Sequence, residues 1–160
     1  MRDSEFERLY AEHAQRLFGF LAYRTGDRAL AEDVLADTFE RVLRARRGFD
    51  RRRGSERTWL YAIALNVLRD RARRAQAETR ALERASSGEE EAPEPYGSLA
   101  ERDSVARAVA TLSAEEQEVV ALRFGADLAV KEIARVLGEP VTTVEGRLYR
   151  ALRKLREHMG

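Results

Sequence analysis

The 160-residue sequence contains no cysteine, which excludes disulfides and thiolate metal ligands. Its only histidines are His13 and His158, too far apart along the chain to suggest an imidazole metal site. Proline is rare within the apolar stretches, and aromatic residues make up only 8% of the chain. No stretch approaches the length and apolarity of a membrane span, and the N-terminus lacks the apolar core of a secretion signal, so the expected location is the cytoplasm. A Gly-rich phosphate loop, a nucleophile–base pair and metal-ligand spacing are all missing. An enzyme is therefore the least supported class, and no cofactor is expected.

What remains is rich in Ala, Leu, Arg and Glu, all helix formers, so the expected fold class is all-α. The net charge of +1 hides an uneven distribution. Residues 1–75 carry a net +5, residues 76–100 a net −4, and residues 101–160 are neutral. Apolar residues recur at helical spacing in each block. The first helix is expected over about Glu5 to Arg24, opened by a capping box at Ser4 and Glu7. Asp27 caps a second, running to about Arg46 with Asp33, Asp37, Glu40, Arg41 and Arg44 on its polar face. Ser55 caps a third, carrying helical character to about Arg84. Ser86 to Ser98 is polar, with three consecutive glutamates, Pro93 and Pro95, and reads as a flexible linker. The expected organisation is a helical domain over 1–84, a linker over 85–98 and a four-helix domain over 99–160. Capping boxes at Ser98/Glu101, Ser113/Glu116 and Thr142/Glu145 mark helices of the second domain, where Val105, Val109 and Leu112 are expected to point inward.

Two segments suggest nucleic-acid contact. Val130 to Leu137, a turn at Gly138-Glu139-Pro140 and a longer final helix have the layout of a helix-turn-helix, of which a plain αα-hairpin is the alternative. Thr142, Thr143, Arg147, Arg150 and Lys154 are assigned to the outward face of the second helix, where such side chains read base edges and phosphates. The other segment, 44–57, carries seven arginines. Phe49, Arg51, Arg52, Arg53, Arg57 and Trp59 lie in or beside it, and Asn66, Arg69 and Arg73 follow along the third helix. Aromatics for stacking beside arginines for phosphate suit single-stranded nucleic acid, although Trp59 also falls at core spacing with Leu60, Ile63 and Val67.

FERLYAEHAQRLFGFLAYRTGD, AEDVLADTFERVLRA (Ala31 to Ala45), TWLYAIALNVLRDRARR (Thr58 to Arg74), LSAEEQEVVALRF and VKEIARVLGEPVTTVEGRLYRALRKLR together resemble, in order and over nearly the whole chain, the extracytoplasmic-function sigma factors of the sigma-70 family. The resemblance implies a transcription initiation factor without catalytic chemistry or cofactor. Its implied partners are RNA polymerase core, through the largest-subunit clamp and the flap, promoter DNA both single-stranded and duplex, and an anti-sigma factor, the chain itself being a monomer. Asp33, Asp37, Glu40, Arg41 and Arg44 would dock on the clamp. The Phe49–Arg57 loop and Trp59 would capture a base flipped from the non-template strand, with Asn66, Arg69 and Arg73 holding that strand. The helix-turn-helix would read the upstream element, and the linker would let both domains bind at once. The acidic linker is expected to shield basic faces in the free chain. One departure from the family pattern stands out: Thr142-Thr143 and Glu145-Gly146 replace a Gly-Thr pair and a basic residue near the start of the recognition helix.

Two other readings compete. A sigma-like adaptor that binds an anti-sigma factor but no promoter would not need the arginine–aromatic segment. A stand-alone helix-turn-helix repressor would need a dimer interface, and no heptad or long exposed apolar stripe supplies one.

Overall fold

In the computed structural model, which describes residues 1–85 and 100–159, the chain begins with a helical hairpin of α1 (Asp3–Thr25) and α2 (Arg28–Ala45). Gly26 takes a left-handed φ of 66° and returns its N–H to the Ala22 carbonyl, while the Asp27 carboxylate accepts the Leu30 N–H at 3.2 Å. The expected box at Ser4 and Glu7 does not form. Instead Glu5 accepts the Arg2 N–H at 3.3 Å, because the start of α1 is tied to the end of α2: Asp3 pairs with Arg46, and the Met1 amino group donates to the Arg46 carbonyl. A single 3-10 turn (Arg46–Gly48) and an arginine-rich loop lead to α3 (Glu56–Ala85), a helix of 30 residues whose first turn is capped by Ser55 Oγ accepting the Thr58 N–H at 3.2 Å.

Leu17, Leu21, Val34, Val42, Leu60 and Val67 are among the buried residues that join α1, α2 and α3. Two large apolar residues lie at the margins of this core although they fall at helical apolar spacing: Tyr10 meets the Phe39 ring at 4.8 Å yet stays half exposed, and Leu43 is also exposed.

The second group comprises α4 (Ala100–Ala110), α5 (Ala114–Val120), α6 (Val130–Leu137) and α7 (Val141–Met159). The box at Ser113 and Glu116 is present, with the Ser113 N–H at 2.9 Å from Glu116 Oε1 and the Glu116 N–H at 3.1 Å from Ser113 Oγ. The box at Thr142 and Glu145 is absent. Here α7 begins at Val141, and the Pro140 carbonyl accepts from Thr143 and Val144, so Thr142 already lies within the helix. The linker expected over 85–98, apart from Ala85 at the end of α3, and the Ser98/Glu101 box lie outside the described residues. Among the described residues of α4, Ala108 is buried and Val109 half-buried while Val105 is exposed, because the helix packs mainly on α7.

After Val120 the α-helix gives way to a π turn over Ala121–Gly125, closed by the Ala126 N–H on the Ala121 carbonyl at 3.0 Å. Asp127 then takes a left-handed φ of 57°, a conformation aspartate tolerates better than most residues. Gly138, at φ 65°, turns the chain between α6 and α7, making the helix-turn-helix an observed geometry. Among the described residues there is no strand, and no helix is long and apolar enough to cross a membrane.

Two ion-pair braces hold α7 in place. Arg147 reaches Glu139 at 2.6 Å and Glu115 at 3.5 Å, and the Lys154 ammonium lies 2.7 Å from the buried carboxylate of Glu116. The Lys154 bond, helped by the Ser113 N–H, holds the Glu116 carboxyl below the usual glutamate range. A folded-state pKa below the unfolded one stabilises the native chain above about pH 4.3, where the unfolded glutamate ionises, and this contribution is lost as pH falls through the lower folded value. Glu116→Gln should therefore cost about 1–2 kcal/mol in urea unfolding at pH 7. The gap from the wild-type chain should close on acidification; a gap independent of pH would rule out the ion pair as its cause.

Candidate nucleic-acid interface

The loop between α2 and α3 folds against the start of α3. Phe49 tilts onto Trp59 with ring centroids 5.0 Å apart, and both rings are half-buried. Trp59 packs against the core with one side while lining, with Phe49, Arg53 and Thr58, a cleft of about 200 Å³. Gly54 sits at φ 156° on its rim, where a Cβ would stand 2.8 Å from Thr58 Oγ1. Arg51 and Arg52 are exposed, Arg51 reaching Glu56 at 3.8 Å. Asn66 is exposed, so its amide is free for an outside contact rather than buried among partners.

Other arginines of this surface are tied to the second helical group. Arg57 Nη2 donates to both carboxylate oxygens of Glu132 of α6, at 2.8 and 3.0 Å, and also reaches the Asp127 carbonyl at 3.3 Å. Arg69 pairs with Glu118 of α5 at 3.0 Å. Arg135 of α6 donates to the Arg53 carbonyl and lines the Trp59 cleft from the far side. Apolar contact reinforces these bonds: Gly125 of the π turn lies against Phe20, whose ring meets Tyr61 edge-on at 5.6 Å. Apart from Ala108, Leu112 and Ala151, the buried apolar residues of both groups form one continuous core. Burial pushes the Tyr61 hydroxyl up to about 12, so it remains neutral throughout the physiological range. Arg73 stays on its own helix, 2.6 Å from Asp70.

The structure divides the residues assigned to the polar face of α2. Asp33, Glu40 and Arg44 are exposed. Asp37 and Arg41 are turned toward α3, where Asp37 pairs with Arg71 and Arg41 reaches Asp70 at 3.1 Å. The Asp37 carboxylate raises the Arg71 pKa, and the Arg41 and Arg73 hydrogen bonds lower that of Asp70. These residues brace the bundle rather than stand free.

The outward face of α7 is likewise corrected. Thr142 and Arg150 are exposed and Thr143 partly so, but Arg147 and Lys154 are the braces to α5 and the turn. Both flank the apolar stripe of buried Val144 and Ala151 and half-buried Leu148 and Leu155, and their charges find carboxylates. Glu145, Tyr149 and Arg153 complete the exposed face, with Tyr149 68% exposed. Continuing the period from Thr142 through Glu145 to Tyr149 and Arg153, opposite the stripe, is the signal that would have found them.

Comparison with known proteins follows the same division. Residues 9–78 match Sigma-70 region 2, and residues 102–155 match Sigma-70, region 4. The ECF RNA polymerase sigma factor SigL of Mycobacterium tuberculosis is 31% identical over 150 residues, covering 92% of this chain and 85% of that protein. The ECF RNA polymerase sigma factor BldN of Streptomyces coelicolor is 35% identical over 155 residues; the match covers 94% of this chain and 58% of that longer relative. Among solved structures, the sigma factor RpoE in complex with the anti-sigma factor NepR from Bartonella quintana shares the fold, with a TM-score of 0.77 at 22% identity over 98% of this chain and 97% of that one. With both regions matched in order on an all-helical fold, the chain belongs to the sigma-70 family, among the ECF RNA polymerase sigma factors.

Proposed function

We propose that this chain binds RNA polymerase core and directs promoter recognition and melting, supplying binding surfaces and no catalytic group. The observation that carries the reading is the cleft floored by Phe49 and Trp59 beside a run of arginines, on the same chain as a helix-turn-helix. A flipped base stacks on such a floor while guanidinium groups hold the flanking phosphates, and the unstacking cost of a few kcal/mol is offset by those contacts. In this reading the N-terminal domain over 1–84 takes the single strand, with Asn66 presenting its amide to a base edge. The domain over 99–160 takes the upstream duplex through Thr142, Thr143, Arg150 and the residues beside them. Asp33, Glu40 and Arg44 dock on the polymerase clamp, while Asp37 and Arg41 keep α2 in register with α3. Partners of the anti-sigma kind compete for the same surfaces.

Gel filtration of the chain with bacterial RNA polymerase core, followed by an open-complex assay on a promoter library, tests the proposal. Co-elution and promoter melting are expected; failure to co-elute would refute it.

The packing of the two groups sets a condition on this activity. Glu132 and Glu118 occupy Arg57 and Arg69, so those guanidinium groups meet a strand only once the groups separate. Half-exposed pairs of this kind contribute about 0.5–1 kcal/mol each. The double substitution Glu118→Gln and Glu132→Gln keeps an acceptor for the Ala129 N–H at the α6 cap and removes both charges. It should raise the affinity of the free chain for a single-stranded oligonucleotide about tenfold. Fluorescence anisotropy at low salt measures this, and an unchanged or weaker affinity would show that the pairs do not restrain binding.

A further inference from the structure

We propose that Glu145 is a specificity-determining residue that selects cytosine in the upstream duplex by accepting its N4 amino hydrogen in the major groove; this rests on the reading above, in which α7 enters duplex DNA.

Glu145 is exposed in the first turns of α7, on the face shared with Thr142 and Tyr149. The carboxylates around it are committed. Glu115 and Glu139 hold Arg147, Glu116 holds Lys154, and Glu157 lies 3.5 Å from Arg153. Among the described residues Glu145 alone of this set makes no ion pair or side-chain hydrogen bond. It therefore contributes nothing visible to folding, and at a DNA-facing position it repels phosphate. A carboxylate there lowers affinity for every duplex unless some base edge returns a hydrogen bond.

The donor–acceptor pattern of the groove identifies that edge. An ionised carboxylate only accepts. Guanine shows N7 and O6, thymine shows O4, and adenine sets its N7 acceptor beside its amino group; cytosine alone presents a donor with no neighbouring acceptor. The complementary group lies on the same helix. The Arg150 guanidinium folds back over Gly146, with Nη1 only 3.3 Å from where a Cβ would stand, and among the described residues it comes within ion-pair distance of no carboxylate, Glu145 included. Helical side chains lean toward the N-terminus, so Glu145 and Arg150 both serve the leading turns of α7. A carboxylate for cytosine N4 and a guanidinium for guanine O6 and N7 match the two halves of one C·G pair, or of adjacent ones. Gly146 leaves the space in which Arg150 lies. Specificity of this kind works partly by repulsion, since other sequences meet the charge without the hydrogen bond.

The test uses the full chain with polymerase core and duplexes randomised across the upstream element, comparing wild type, Glu145→Ala and Glu145→Gln. The wild type should favour cytosine at one position by about five- to tenfold. Glu145→Ala should flatten that position while tightening binding to the remaining sequences. Glu145→Gln should move the preference toward adenine, whose N6 and N7 suit an amide. A uniform gain across all sequences, with the wild-type preference intact at every position, would overturn the assignment and reduce Glu145 to a repulsive charge. A wild-type chain that neither binds core nor selects any duplex would overturn the initiation-factor reading and this assignment with it.

Discussion

The seam between the two helical groups is the constraint on which the rest of the structure depends. Gly125 of the π turn meets Phe20, Phe20 meets Tyr61, and around this apolar contact Arg57, Arg69 and the Arg53 carbonyl take partners from α5 and α6. Apolar burial supplies most of the attraction, since the ion pairs are partly exposed and contribute little each. The pairs instead help set register: Arg57 ties α3 to Glu132 of α6, and Arg69 ties it to Glu118 of α5. Everything that faces solvent, including the Trp59 cleft and the α7 face, is what this seam leaves uncovered.

Ion pairs at the seam and within each helical group decide where the arginine charges go. Guanidinium groups are not spread over a uniformly basic surface. Arg41, Arg57, Arg69, Arg71 and Arg147 each meet a carboxylate on another element or turn. Arg52 and Arg150, by contrast, are exposed, and they lie in the loop and on the helix where nucleic acid would approach. Paired arginines hold geometry while exposed ones are left for outside contact, a division that composition cannot express. At the seam, carboxylates of α5 and α6 already occupy Arg57 and Arg69, so any outside anion would compete with them.

Much of the architecture was legible in the sequence because it depends on neighbours within a few residues. Asp27, Ser55 and Ser113 cap the helices they were expected to cap, and Gly138 turns the chain where only a left-handed residue fits well. The capping boxes at Ser4 and Thr142 were misplaced for a reason outside that range. Asp3 and Met1 are anchored by Arg46, more than forty residues away, and Pro140 already offers a carbonyl to open α7. The π turn, with its left-handed Asp127, had no local signature, since it follows from packing against α1.

For the candidate site, helical periodicity located the buried stripe of α7 and the aromatic–arginine loop, because apolar spacing and composition are properties of the chain alone. It could not say what the side chains at the edges of a stripe do. Whether Arg147 faces DNA or Glu139, or whether Arg57 faces a phosphate or Glu132, depends on a carboxylate brought near by folding. The sequence by itself determined the helices, their order and their apolar faces, through interactions that span a turn or two. Only the tertiary structure decided which charges remain free, because an ion pair is set by distance in space and its partner can lie 75 residues away along the chain.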